Sequence, residues 1–220
     1  MIEGLLLASL VLAIGITALI YKQRAERRRR LELASLALQM GFSYTPARDE
    51  GFAAGWGFLK RLALGKERYA FNILRGEFQG QAVFAFDYHY LTGSDDDKKH
   101  HYVTFVMLVV REAFPLLSIR PETLMTKVAG AFGFEDINFE SAEFSRAFCV
   151  RSEDKKFAYD VCNPQMIEYL LANRDLEIEI QGPVLLLAFA SQLPVEQIAG
   201  NLQRLAEIRS RLPEYLFTKV

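Results

Sequence analysis

The run GLLLASLVLAIGITALIY, Gly4 to Tyr21, carries no charge and is followed at once by KQRAERRRR, residues 22–30. As a helix the run reaches roughly 27 Å, close to the hydrocarbon thickness of a bilayer of about 30 Å. All of its faces are apolar, and the hydroxyls of Ser9 and Thr17 can bond back to the carbonyl one turn earlier. A cleaved signal peptide wants basic residues before its apolar stretch and small residues after it; here Glu3 precedes and Tyr21-Lys22-Gln23-Arg24 follows. The pattern predicts a transmembrane anchor over 1–21 with Tyr21 at the interface.

Lys22, Arg24, Arg27, Arg28, Arg29 and Arg30 face a single acid, Glu26, within that basic stretch. Such a cluster resists translocation, which predicts an N-terminus outside and a C-terminal domain in the cytoplasm, a single-pass protein of the inner membrane. The same six side chains suit anionic headgroups, so the lipid bilayer is the first expected partner, and nucleic acid is not expected beside a membrane helix. Six of the 26 basic and two of the 27 acidic residues lie before residue 31, so the remainder has a formal charge of about −5 and should hang from the membrane on its stalk.

Residues 22–41 read as a basic stalk helix ended by Gly41, and 42–220 as one cytoplasmic α+β domain. From Arg68 the pattern turns to period two. Tyr69, Phe71 and Ile73 alternate, and Phe84, Phe86, Tyr88 and Tyr90 share one face, opposite Val83, Ala85, Asp87 and His89. Strands are further expected over 101–111, 116–120 and 144–151. Helices are expected over 122–132 and, capped by Asn163-Pro164, over 164–172. DLEIEIQ, residues 175–181, predicts a strand with Leu176, Ile178 and Ile180 inside and Glu177 and Glu179 outside, turned at Gly182-Pro183 into a hairpin with 184–190. A last helix carries Val195, Ile198, Leu202, Leu205, Ile208 and Leu212; this stripe packs across the sheet or serves as a seam for a homo-oligomer. The expected architecture is a mainly antiparallel sheet with packing helices behind one transmembrane helix.

The N-terminal span, basic stalk and aromatic meander, with Phe144-Ser145-Arg146-Ala147-Phe148-Cys149-Val150 and then Asp160-Val161-Cys162-Asn163-Pro164-Gln165-Met166-Ile167, resemble the layout of an uncharacterised bacterial family of single-span, membrane-anchored proteins. The resemblance implies a fold and a location, and brings no activity or catalytic residues.

Chemistry-bearing residues are sparse. His100 and His101 adjoin Asp95, Asp96 and Asp97, a zinc-like inventory, but neighbours on a strand face opposite ways and no metal is expected. Asp87 and His89 share a face about 7 Å apart, too far for a reliable acid–base pair, and no activated nucleophile accompanies them. Cys162, before a helix N-terminus, is the one candidate thiol nucleophile; Cys149 and Cys162 otherwise read as reduced, buried thiols. The glycines near Lys60 match no phosphate loop, and no cofactor is expected. Phe52, Trp56, Phe58 and Leu59, beside Lys60, Arg61, Lys66 and Arg68, form either a core plug or an amphipathic membrane contact. The leading expectation is a non-enzymatic binding or scaffold module with a protein partner; a hydrolase or thiol enzyme using Asp87/His89 or Cys162 is the alternative.

Overall fold

The computed structural model describes residues 2–122 and 135–218, with side chains from Leu12 onward. Helix α1 runs from Ile2 to Met40 and ends at Gly41, whose φ of 68° suits glycine and lets the chain reverse into β1, Ser43–Thr45. Helix α2 (Glu50–Gly55) follows, its N-terminus capped by Asp49, whose carboxylate accepts from the Phe52 amide. Strands β2 (Lys66–Phe78), β3 (Gln81–Thr92) and β4 (Lys99–Pro121) form an antiparallel meander. Helix α3 (Ala142–Ala147), strand β5 (Phe148–Ser152), helices α4 (Lys155–Val161) and α5 (Pro164–Ala172), strand β6 (Ile178–Ala188) and helix α6 (Ile198–Arg211) complete the fold. The result is an α+β architecture around a six-stranded antiparallel sheet in the order β1-β2-β3-β4-β5, with β6 also paired to β4.

Both faces of the sheet are covered. On the first, Val83, Ala85, Val106, Leu185 and Leu187 meet Leu33 and Ala37 of α1, Phe157 and Val161 of α4, Met166 and Leu170 of α5, and Leu202 and Leu205 of α6. On the second, Phe86, Tyr88, Phe105, Met107 and Leu186 lie beneath Ala53, Leu59 and Leu62. The alternation of β3 therefore divides as its sequence predicts, and the stripe Ile198, Leu202, Leu205, Ile208 and Leu212 is buried within the first core. Asn163 caps α5 as expected, its side chain accepting from the Met166 amide.

The structure departs from the sequence pattern at five places. Residues 178–188 are one continuous strand and not a hairpin. Gly182, at φ 53°, sits where the β4–β6 register slips, and the two long strands bend together there. The runs 101–111 and 116–120 are for the same reason parts of a single strand, β4. Glu177 and Glu179 do lie on the face opposite Ile178 and Ile180, but the segment after α2 covers that face, and both carboxylates are buried. Residues 144–147 are helical, capped by Ser141, so only 148–151 of the expected strand is extended, and the strand continues to Ser152. A bulge between Phe71 and Leu74 also puts Ile73 on the second face, away from Phe71. The expected helix over 122–132 lies almost wholly outside the described residues. Among the described residues no helix is long and apolar enough to cross a membrane; the run from Gly4 to Tyr21 extends into residues 1–11, whose side chains are outside that set.

Gly76 of β2 passes beneath the Phe42 ring, and a Cβ there would lie 2.0 Å from a ring carbon. Gly76→Ala should therefore lower stability by about 1–3 kcal/mol, the usual cost of overpacking, seen as a lower urea midpoint with an unchanged slope.

Candidate functional site: a cleft beside the buried Asp87

Asp87 is 1% exposed, and a lone carboxylate at that depth would be strongly disfavoured. It is instead surrounded by donors. The Arg29 guanidinium grips it with two nitrogens, Nε to Oδ2 at 2.8 Å and a terminal nitrogen to Oδ1 at 2.7 Å. Asn72 Nδ2 and Gln192 Nε2 each donate to Oδ2 at 2.9 Å, and the Thr104 hydroxyl donates to Oδ1 at 2.8 Å. The remaining Arg29 nitrogen donates to the Leu193 carbonyl at 2.6 Å, while the Leu193 amide donates to Thr104 Oγ1. Asn72 is held in turn by the Tyr44 hydroxyl and occupies the left-handed region at φ 52°, a conformation asparagine tolerates and one that the β2 bulge needs. One carboxylate thus joins α1, β2, β3, β4 and the segment after β6.

A cleft of about 670 Å³ opens beside this cluster, between α1 and the sheet. Lys22, Glu26 and Arg30 form its helical wall, Arg48 its rim, and Tyr69, Phe71 and Tyr102 its opposite wall. Arg48 stacks over Tyr69 at 3.7 Å from the ring centroid, and Phe71 meets Tyr102 edge-on. Behind this wall His89 stacks on Tyr69 and its Nδ1 lies 3.1 Å from the Glu67 carbonyl, so that nitrogen carries the proton and donates. Nε2 then accepts from His100 Nδ1 at 2.9 Å. Burial pushes the His89 pKa down and favours this neutral state.

The structure scatters the other sequence candidates. Asp87 and His89 share a face but serve different networks. His100 turns to His89 while His101 turns to Thr92, and among the described residues no group of three or more ligating side chains could hold a metal. Burial raises the Cys162 thiol far above its ordinary range and pushes Cys149 up to about 12, leaving neither as a ready thiolate. Phe52 packs edge-on against Phe86, and Trp56 lies against Phe84. Phe58 is exposed and Lys60 partly so, but Arg61 is buried against Glu177. Of the six basic residues, Lys22, Arg24, Arg27, Arg28 and Arg30 are exposed and Arg29 alone turns inward. That role has a trace in the sequence, since Arg29, Leu33 and Ala37 share one helical stripe.

A second buried cluster stands on the other face of the sheet. Glu177 pairs with Arg120 at 2.8 Å and Arg61 at 3.3 Å. Glu179 accepts from the backbone amides of Lys60 and Arg61 and so pins the segment after α2. Desolvation raises its pKa to about 7, against the opposing pull of those two amides and the Arg61 charge.

Two predictions follow from these clusters. Arg29→Gln should cost about 3–5 kcal/mol by leaving Asp87 undercompensated, whereas Arg28→Gln, one residue away and in water, should leave the urea midpoint unchanged. Because Glu179 binds its proton more tightly folded than unfolded, its contribution is fully present below its unfolded pKa of about 4.3 and is lost as pH rises through about 7. Thermal melts between pH 5.5 and 8 should show a component that weakens with rising pH in the parent and is missing in Glu179→Gln.

No family model and no curated protein matches the chain. Among solved structures, the crystal structure of the mycobacterial trehalose monomycolate transport factor A, TtfA, is similar with a TM-score of 0.55 at 17% identity, covering 89% of this chain and 97% of that one. At that identity the likeness shows the shared α+β fold.

Proposed function

We propose that the chain is a membrane-anchored, non-enzymatic binding module, held at the inner membrane by Gly4–Tyr21 with its α+β domain in the cytoplasm. The observation that carries this reading is the state of α1 before the domain begins. Every residue from Leu12 to Arg28 is exposed, including Leu12, Ile14, Ile16, Leu19 and Ile20. Such a stretch is disfavoured in water, at about 25 cal/mol per Å² of apolar surface, and is at home in hydrocarbon. The Thr17 hydroxyl donates to the Ala13 carbonyl at 2.7 Å and so needs no water. The basic turn that follows favours the cytoplasmic side.

The non-enzymatic part rests on how the reactive groups are used. Asp87 is saturated with donors, His89 is braced between Glu67 and His100, and Cys162 is buried at a raised pKa. What remains open is a cleft suited to binding. A fold shared with a protein described as a transport factor supports a role of this accessory kind.

Two measurements test the reading. The full chain should stay with the membrane pellet after alkaline carbonate washing; release into the supernatant would remove the anchor. A C-terminal reporter that fluoresces only in the cytoplasm should be bright and an export-dependent one silent. Replacing the five exposed basic residues with glutamine while adding lysines before Gly4 should weaken or invert that pattern.

A further inference from the structure

We infer that the cleft between α1 and the sheet is a binding site for the phosphate headgroup of an anionic phospholipid, with the glycerol and first acyl carbons lying on its aromatic wall. The inference rests on the membrane-anchored reading and names what the cleft of that module takes. Charge points to the ligand's sign. Lys22, Arg30 and Arg48 stand around the opening, and among the described residues Lys22 and Arg30 form no ion pair, while Arg48 is shared only with the exposed Glu50. Glu26 is the one acid in the lining, and Arg29 is already neutralised by Asp87. The site therefore presents two unpaired cations, and a third shared with Glu50 at its rim, against one anion.

Shape and polarity point to an amphiphile rather than a bare anion. Tyr69, Phe71 and the 40%-exposed Tyr102 form a continuous apolar wall directly across from the cationic helix. A volume of about 670 Å³ exceeds what a phosphate group fills and leaves room for a headgroup with its glycerol and first acyl carbons. Placement points to the leaflet, because Lys22 follows Tyr21 and the last turn of the apolar run. A lipid phosphate at the membrane surface and the mouth of the cleft would then lie at the same level. The wall is not a loose loop; Arg29 and Asp87 fix α1 against the strand that carries Phe71 through Asn72.

The test uses the full chain in phosphatidylcholine nanodiscs containing a trace of phosphatidylglycerol with a diazirine on its first acyl carbons. After illumination, mass spectrometry should place adducts on peptides containing Tyr69–Phe71 and Tyr102. Labelling should fall about tenfold or more in the Lys22→Gln/Arg30→Gln/Arg48→Gln triple variant, whose substitutions are all at exposed positions. A phosphatidylcholine diazirine probe should label the cleft far less, and excess unlabelled phosphatidylglycerol should compete. Equal labelling by the two probes, or unchanged labelling in the triple variant, overturns the inference. Competition by soluble glycerol phosphate equal to that by the lipid overturns the leaflet as the source and assigns the site to a free phosphate ester. The anchor is scored separately. A chain that fails to enter nanodiscs contradicts the membrane reading, and the cleft is then probed in solution with the short-chain dihexanoyl phosphatidylglycerol diazirine, where the same loss in the triple variant is expected and its absence overturns the inference.

Discussion

The Asp87 carboxylate is the interaction on which the rest of the architecture depends. Moving a carboxylate to that depth is unfavourable unless nearly all of its lone-pair sites are met, and five hydrogen bonds from four side chains meet them. Each donor comes from a different part of the chain, so the requirement is also topological. Arg29 must bring α1 to the sheet, the β2 bulge must present Asn72, and the segment after β6 must return with Gln192. A site of this kind specifies one arrangement, since a partly met cluster is worse than an apolar core.

The second face is organised by a related device with a different outcome. There Glu177 is matched by two arginines, and Glu179 is held by backbone amides of the covering segment. Backbone donors fix the segment's position without supplying a full counter-charge, which is why desolvation dominates and the Glu179 pKa rises to about 7. The two clusters thus clamp opposite layers to one sheet, the first through a bidentate ion pair and the second through a carboxyl that titrates near neutral pH.

Much of the fold was legible because local rules agreed with it. The β3 alternation sorted Phe86 and Tyr88 from Val83 and Ala85, and Asn163-Pro164 marked the start of α5. Failures came where a local pattern says nothing about what covers it. The alternation of Glu177 and Glu179 placed both on one face correctly, but only the distant segment around Leu59 and Leu62 decides that this face is dry. Gly182-Pro183 carried a turn signal that the strand used as a bulge. The cleft was illegible for a similar reason: Arg30, Arg48, Phe71 and Tyr102 are far apart in sequence, and the basic run read as uniform although Arg29 belongs to the core stripe and its neighbours to solvent.

The Asp87 clamp makes the basic part of α1 a structural member of the domain, so that the cleft has a rigid wall. Hydrogen exchange of the intact chain tests it directly. Amides of residues 27–36 should exchange as slowly as those of β3, by the same cooperative opening, and should become faster than β3 in Asp87→Ala. Rapid, independent exchange of residues 27–36 in the unaltered chain, while β3 stays protected, would show that the clamp does not hold α1 to the domain.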